Sequence, residues 1–218
     1  MAWDHTWYAL LGVLNGRQGT VDAEWTISGM ADGEPFSVSR ANRFSGGISQ
    51  PGYEIYQVLR AFRSQDVADV RVTAIDFDAT VTEELLTAAV GESQTASSLA
   101  PILRDRDRLA VAPGDTIQVR VPVDPRGNDT PAFDVDFGLE VPTGADGDGQ
   151  LRIETGQTYL RYRVDTFAQL LNRIERMPRN DTVRAQIRMD GARGGLVVVP
   201  LEYVPKRSSD RVRLNLQR

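Results

Sequence analysis

Runs of alternating apolar and polar residues dominate the early part of the chain and predict β-strands. The run at 21–27 places Val, Ala, Trp and Ile at every second position, as in a strand with one buried face. Turn-forming residues at 31–34 then send the chain back through a second run at 36–44, so the two runs predict a hairpin. Residues 53–62 instead repeat their apolar positions at helical spacing and predict an amphipathic helix.

The next alternating run, 70–81, changes phase near Ala74 and Ile75. Side chains of a strand alternate between its two faces, so a change of phase predicts a β-bulge at this point. A further helix is predicted over 3–14, where apolar residues recur at helical spacing. Together these elements predict an α+β unit over residues 1–82.

The second part of the chain is predicted to be an Ig-like β-sandwich-type region. Residues 83–100 are small and polar, and are interpreted as a connector. Short alternating runs at 117–123 and 133–141, separated by Gly, Pro and Asp turns, are typical of a sandwich over 101–218. One helix, with its apolar stripe at 167–174, is predicted as an insertion in that region. The fold class is therefore α+β and β-rich.

Two details concern strand position within the sheets. The apolar run at 196–201 is continuous, which is typical of a strand covered on both faces, so we expect a central strand there. The glycine-rich stretch before it, 191–195, is interpreted as a hairpin turn. Pro122 cannot donate a backbone hydrogen bond, so its strand is expected at a sheet edge.

Composition narrows the class of protein. The chain has 218 residues, of which 41% are hydrophobic and 25% charged, and this is an ordinary globular composition. A net charge of −5 gives no electrostatic reason to bind nucleic acid. Lys206 is the single lysine, and such arginine-rich usage is typical of a GC-rich bacterium such as an actinomycete. No apolar run is long enough for a membrane span, and residues 1–4 do not resemble a signal peptide, so either the protein is cytosolic or a targeting segment precedes it.

Catalytic and metal-binding motifs are scarce. The chain has no cysteine, which excludes thiolate nucleophiles and cysteine-ligated metals. The sole histidine, His5, lies near the terminus and is interpreted as a surface or partly packed residue. A Ser–Lys dyad would have to use Lys206, which lies in a polar tail. The acidic loop around Asp146 and Asp148 lacks the later ligand of an EF-hand and is interpreted as a plain loop. We therefore predict no catalytic residue, no cofactor and no metal.

Two pairs of carboxylates leave an enzymatic alternative open. Asp76 and Asp78 share one face of a predicted strand, as do Asp134 and Asp136. Both pairs are interpreted as solvated sheet faces. Paired acids also serve glycoside hydrolysis when one member has a raised pKa, so a carboxylate-dependent hydrolase is the less favoured alternative.

Two groups of residues are candidate interfaces. Trp3, Trp7 and Tyr8 form an aromatic cluster near the start of the chain, and exposed aromatics are favoured in protein interfaces. Arg184 and Arg188 belong to a basic strip that either keeps the protein soluble or binds an anionic partner.

Several motifs, in this order along the chain, resemble the region that follows the peptidase domain in secreted proteins of the SpoIVB-type serine peptidase family. They are WTISGMADGEPF (25–36), RANRF (40–44), the helix that follows it, the strand at 70–81, VAPGDTIQV (111–119), the helix at 167–172 and PRND (178–181). The histidine and serine motifs of that family's peptidase domain do not occur in this chain, so the resemblance transfers no catalytic residue.

The resemblance implies an extracellular or cell-envelope location and a role beside a peptidase. We therefore expect a non-catalytic accessory or binding module of a secreted bacterial protein, which contacts a peptidase domain or an envelope partner. A structural subunit of a cell-surface assembly is the alternative from a different class. The ligand, the oligomeric state and the relative orientation of the two halves stay open at this point.

Overall fold

The computed structural model describes residues 18–47, 50–127, 129–156 and 163–217. The chain forms two compact units that alternate along the sequence. Unit 1 contains Met1–Leu86 and Gln157–Asn180, and unit 2 contains Thr87–Gly156 and Asp181–Arg218. The helix expected over 3–14 lies outside the described residues.

Unit 1 is built on a three-stranded antiparallel sheet of order β2-β1-β3. Its strands are β1 (Gln18–Ala31), β2 (Glu34–Gly47) and β3 (Val70–Thr82). The turn between β1 and β2 consists of Asp32 and Gly33, both with positive φ (50° and 87°), as the tight turns of two-residue hairpins require. The predicted hairpin is therefore confirmed.

The predicted bulge is also present, at Thr73. Ser28 of β1 pairs with Ala74, whereas the next residue, Gly29, pairs with Val72, so Thr73 is the extra residue of β3. This extra residue restores the apolar side chains after the bulge to the inner face. Gly29 is required beside the bulge, because a Cβ there would overlap the carbonyl oxygen of Arg71.

Two helices complete the core of unit 1: α1 (Gln50–Ser64) and α2 (Phe167–Glu175). Thr166 caps α2, where its hydroxyl accepts a hydrogen bond from the backbone N–H of Gln169. Both helices bury their apolar stripes in one cluster with the sheet, made of Trp25, Ile27, Val38, Ile55, Val58, Ala61, Phe62, Leu170 and Ile174. The helix that the sequence assigned to the sandwich region thus belongs to unit 1. Its apolar residues pack in one cluster with Trp25 and Ile27, which precede it by well over a hundred residues.

Unit 2 contains two sheets. One has the order β12-β11-β10-β14-β7, and the other has the order β13-β4-β8-β5-β6, with β9 paired to the remaining side of β8. The strands are β4 (Thr87–Val90), β5 (Gln94–Ser97), β6 (Ala100–Arg104), β7 (Arg108–Val111), β8 (Thr116–Arg126), β9 (Phe133–Glu140), β10 (Gly149–Thr155), β11 (Thr182–Met189), β12 (Ala192–Pro200), β13 (Val204–Pro205) and β14 (Ser208–Leu216).

The two sheets of unit 2 bury alternate residues in the manner of a β-sandwich. The second sheet contributes Ile117, Val119 and Val121, and the first contributes Leu151 and Ile187, all at most 1% exposed. The protein is therefore a β-rich α+β structure with a sandwich-like second unit, as predicted. Neither described helix has the length and apolar character that crossing a membrane would need.

Two boundary expectations are corrected. The stretch 83–100 is not a connector, because it contains β4 and β5, which pair with β8. Likewise, Pro122 does not mark an edge strand, since β8 has partners on both sides. The carbonyl oxygen of Pro122 accepts a hydrogen bond from the N–H of Gly91 at 3.0 Å. The nitrogen of Pro122 lies on the same side of β8, at the gap between β4 and β5, so the lack of an N–H there removes no hydrogen bond between strands.

Candidate functional site

The open edge of β12 is the feature of unit 2 that is best suited to contact another polypeptide. β12 is the outermost strand of its sheet, and within the described ranges only β11 pairs with it. The expectation of a central strand at 196–201 was therefore wrong. A continuous apolar run is typical of a strand that is buried on both faces. In β12 the side chains of the outer face are exposed, and one edge of the strand has no partner strand among the described residues.

The hydrogen-bonding direction of β12 follows from its register with β11. Pro200 lies opposite Thr182, and the N–H of Leu201 donates to the carbonyl of Asp181 at 2.7 Å. Because successive residues of an antiparallel strand direct their backbone groups to opposite sides, Val199 and Val197 bond to β11. Leu196, Val198 and Pro200 therefore direct their backbone groups to the open side.

The same residues expose their side chains. Leu196 is 61% exposed and Val198 is 45% exposed, whereas Val197 and Val199 between them are half-buried. The stretch 194–200 contains no charged residue. Among the described residues, no strand pairs with this side of β12, which also carries two exposed apolar side chains. This is the arrangement that accepts an added strand.

Neighbouring edges of unit 2 are protected in ways that β12 is not. β9 carries exposed carboxylates at Asp134, Asp136 and Glu140, and charged side chains discourage edge-to-edge pairing. At the β6 edge, the guanidinium of Arg106 donates to the carbonyl oxygen of Ile102 and so occupies one of its acceptors. By contrast, the stretch 194–200 of β12 carries no charged residue and exposes Leu196 and Val198.

The carboxylates of β9 form an ion-pair cluster with Arg120 of β8. The guanidinium binds Asp136 through two hydrogen bonds, of 2.8 and 2.9 Å, and also lies 3.3 Å from Asp134. Its hydrogen bonds hold the pKa of Asp136 below its ordinary value. A general acid of a hydrolase needs a raised pKa, whereas the pKa of Asp136 is lowered. Asp76 and Asp78 are exposed on β3, as expected of a solvated face.

A buried polar cluster lies in unit 1 around Glu54 of α1. One carboxylate oxygen accepts from the Trp25 indole at 3.0 Å and from Arg40 Nε at 3.1 Å, and the other accepts from Asn42 at 2.6 Å. Arg40 also donates to the carbonyl oxygens of Met177 and, at 2.8 Å, Pro178.

Asn42 extends this cluster to the segment that follows α2. Its side-chain oxygen accepts from the N–H of Asn180 at 2.7 Å, and the Asn180 side chain donates to the carbonyl of Arg43 at 3.1 Å. The motifs RANRF and PRND, far apart in sequence, thus meet here. Their polar groups are engaged in binding each other, which is a structural role.

The acidic loop around Asp146 and Asp148 is tied to the β11–β12 turn. The N–H of Asp146 donates to the carbonyl of Asp190, and the N–H of Asp190 donates to the carbonyl of Asp148 at 3.1 Å. The Asp148 carboxylate accepts from the N–H of Leu216 at 3.1 Å. In the part of the chain that the structure describes, no three acidic or histidine side chains are grouped to hold a metal ion.

The candidate interface residues fall in different places. Arg188 is exposed on β11, but Arg184 on the same strand is buried, at 9% exposure, so Arg184 is not a surface contact of the folded chain. Trp3, Trp7 and Tyr8, together with His5, lie outside the described residues. The β12 edge was missed because the run at 196–201 was interpreted as a central strand, although Pro200 is a residue that edge strands favour.

The chain matches no family model, no curated protein and no solved structure.

Proposed function

We propose that this chain is a non-catalytic protein-binding module that accepts a strand of another polypeptide at the β12 edge. The observation that carries the proposal is the exposed pair Leu196 and Val198, whose backbone groups also point to the open side. Strand addition of this kind derives affinity from main-chain hydrogen bonds and specificity from alternate side chains.

We further propose that the module acts beside a peptidase of the SpoIVB type, in a secreted bacterial protein of the cell envelope or exterior. The resemblance of the motifs is the basis of this part. Two of these motifs, RANRF and PRND, pack against each other in one cluster, which is consistent with their occurring together in one unit of structure. A structural subunit of a surface assembly is the second candidate, and the same open edge favours it.

A peptide that copies the edge tests strand addition directly. The probe is a synthetic peptide with the sequence of 194–200, added to the full chain at concentrations where the chain is monomeric. We expect saturable binding and slowed hydrogen exchange at the amides of Leu196 and Val198. The matched control is the same peptide methylated on alternate backbone nitrogens, which cannot pair as a strand. Equal effects from both peptides, or none from either, would overturn the proposal.

The setting is tested separately, by the intact mass of the polypeptide in its native cells. We expect a longer product that carries an upstream serine-peptidase domain. A mature product with the ends of this chain would contradict the accessory role and leave a free-standing binding protein, for which strand addition is still tested by the peptide.

A further inference from the structure

We infer that the strand accepted by this edge is β12 of a second copy of the chain, so that the protein is a two-fold symmetric dimer. This inference rests on the proposed function, because it names the partner of the same edge. Two antiparallel copies of β12 would join their five-stranded sheets into one continuous sheet.

The backbone of the edge is self-complementary under a two-fold axis. In the register centred on Val197, Leu196 lies opposite Val198 of the second copy, and both residues direct their N–H and C=O groups to the open side. Each such pair exchanges both of its hydrogen bonds, as in any hydrogen-bonded antiparallel pair. The two-fold axis creates this pair twice, so the backbone N–H groups of Leu196 and Val198 in both copies each donate to a carbonyl oxygen of the other copy.

The side chains fit the same register. Leu196 and Val198 expose 61% and 45% of their surface, and pairing would set each against its apolar counterpart on the outer face. Pro200, which has no N–H to offer, lies beyond these pairs, opposite a glycine of the second copy. The missing donor therefore falls outside the central pairs, where it removes no hydrogen bond between them.

Charge favours a second copy at this edge. Any surface that meets its own copy must not repel itself, and 194–200 carries no charged residue. The neighbouring β9 fails this condition, since a copy of β9 would bring Asp134 and Asp136 against identical carboxylates. The stretch that would pair with its own copy, 194–200, is thus uncharged.

Sedimentation of the full chain over a wide concentration range tests the dimer. We expect a concentration-dependent monomer–dimer equilibrium whose dissociation constant rises by about tenfold or more in the variant L196K/V198K, since two apolar pairs become like-charge pairs. The control is I102K, which places a lysine at another exposed apolar position, 68% exposed, on the β6 edge. The control should dimerise as the parent does.

Cysteine cross-linking tests the register, because the chain has no cysteine of its own. Residues of a hydrogen-bonded antiparallel pair have Cα atoms about 5.5 Å apart, within reach of a disulfide. A mixture of L196C and V198C should cross-link under mild oxidation, whereas neither variant alone should do so efficiently. Cross-linking of V198C or L196C alone would instead indicate a register shifted along the strand and would overturn the register centred on Val197.

The outcomes separate this inference from the proposed function. A dimer that persists in L196K/V198K overturns the inference, as does a chain that stays monomeric at the highest concentration. If that monomeric chain still binds the 194–200 peptide, strand addition stands and the partner is a different polypeptide. If it binds neither itself nor the peptide, both proposals fall.

Discussion

Replacing Arg40 with Met should destabilise unit 1 strongly, because it removes one partner of a buried ion pair. The side chains of Arg40 and Glu54 are only 3% and 11% exposed, and their charged atoms are 3.1 Å apart. The substitution would also leave the carbonyl oxygens of Met177 and Pro178 without their donor.

The expected cost is about 3–5 kcal/mol of unfolding free energy, the range for removing one partner of a buried pair. Most of it arises because Glu54 loses its cationic partner in a site from which water is largely excluded. Trp25 and Asn42 still donate to it, but neither supplies a positive charge. A double substitution R40M/E54Q removes both charges and should therefore cost less than R40M alone.

Urea unfolding followed by circular dichroism measures the effect. The control is R43M, the same substitution on the same strand, at an arginine whose pair with Asp22 is 22% and 43% exposed. An exposed pair of this kind contributes at most about 1 kcal/mol. If R40M and R43M shifted the unfolding free energy by the same small amount, the reasoning that burial makes the Arg40 pair critical would be refuted.

Three further changes test the packing and the surface electrostatics. Leu170→Ala, which removes a fully buried side chain of α2, should cost about 2–5 kcal/mol in urea unfolding, and a smaller loss would argue against its place in the core of unit 1. Gly29→Ala should lower the melting temperature because its Cβ would meet backbone, whereas Gly195→Ala, with open space around it, should not. Arg120→Met should raise the pKa of Asp136 in an NMR titration, because the guanidinium lowers that pKa in the folded state. The stability from this pair is present above the ordinary carboxyl pKa and is lost as pH falls through the lowered pKa, so acid sensitivity that did not change in R120M would contradict the assignment.

Local features of the fold were predictable from sequence, and long-range ones were not. The hairpin at Asp32 and Gly33 and the bulge beside Ala74 follow from turn chemistry and from alternation, both of which are properties of neighbouring residues. The apolar stripe of α2 correctly indicated a buried helix. It did not indicate which core the helix joins, because Trp25 and Leu170 are adjacent only in the folded chain.

The β12 edge shows the same limit at the candidate site. Sequence showed the continuous apolar run at 196–201, but a run of this kind is typical of a central strand and was interpreted so. Only the strand order shows that nothing in the described chain pairs with its outer side. The polar cluster around Glu54 was likewise not visible in sequence, since its members come from two strands, a helix and the segment after α2.

The alternation of the two units along the chain has a consequence for biosynthesis. The hairpin of β1 and β2 leaves the ribosome well before Leu170 and Ile174, which complete its apolar core, because 87–166 are made in between. At ordinary translation rates that stretch takes roughly 4–16 s to synthesise. Unit 2 also waits, since β11, β12 and β14 all follow residue 181. Until α2 is made, the core around Trp25 and Ile27 is covered by α1 but not by α2, so the nascent chain should depend on chaperones more than a chain whose units fold one after the other.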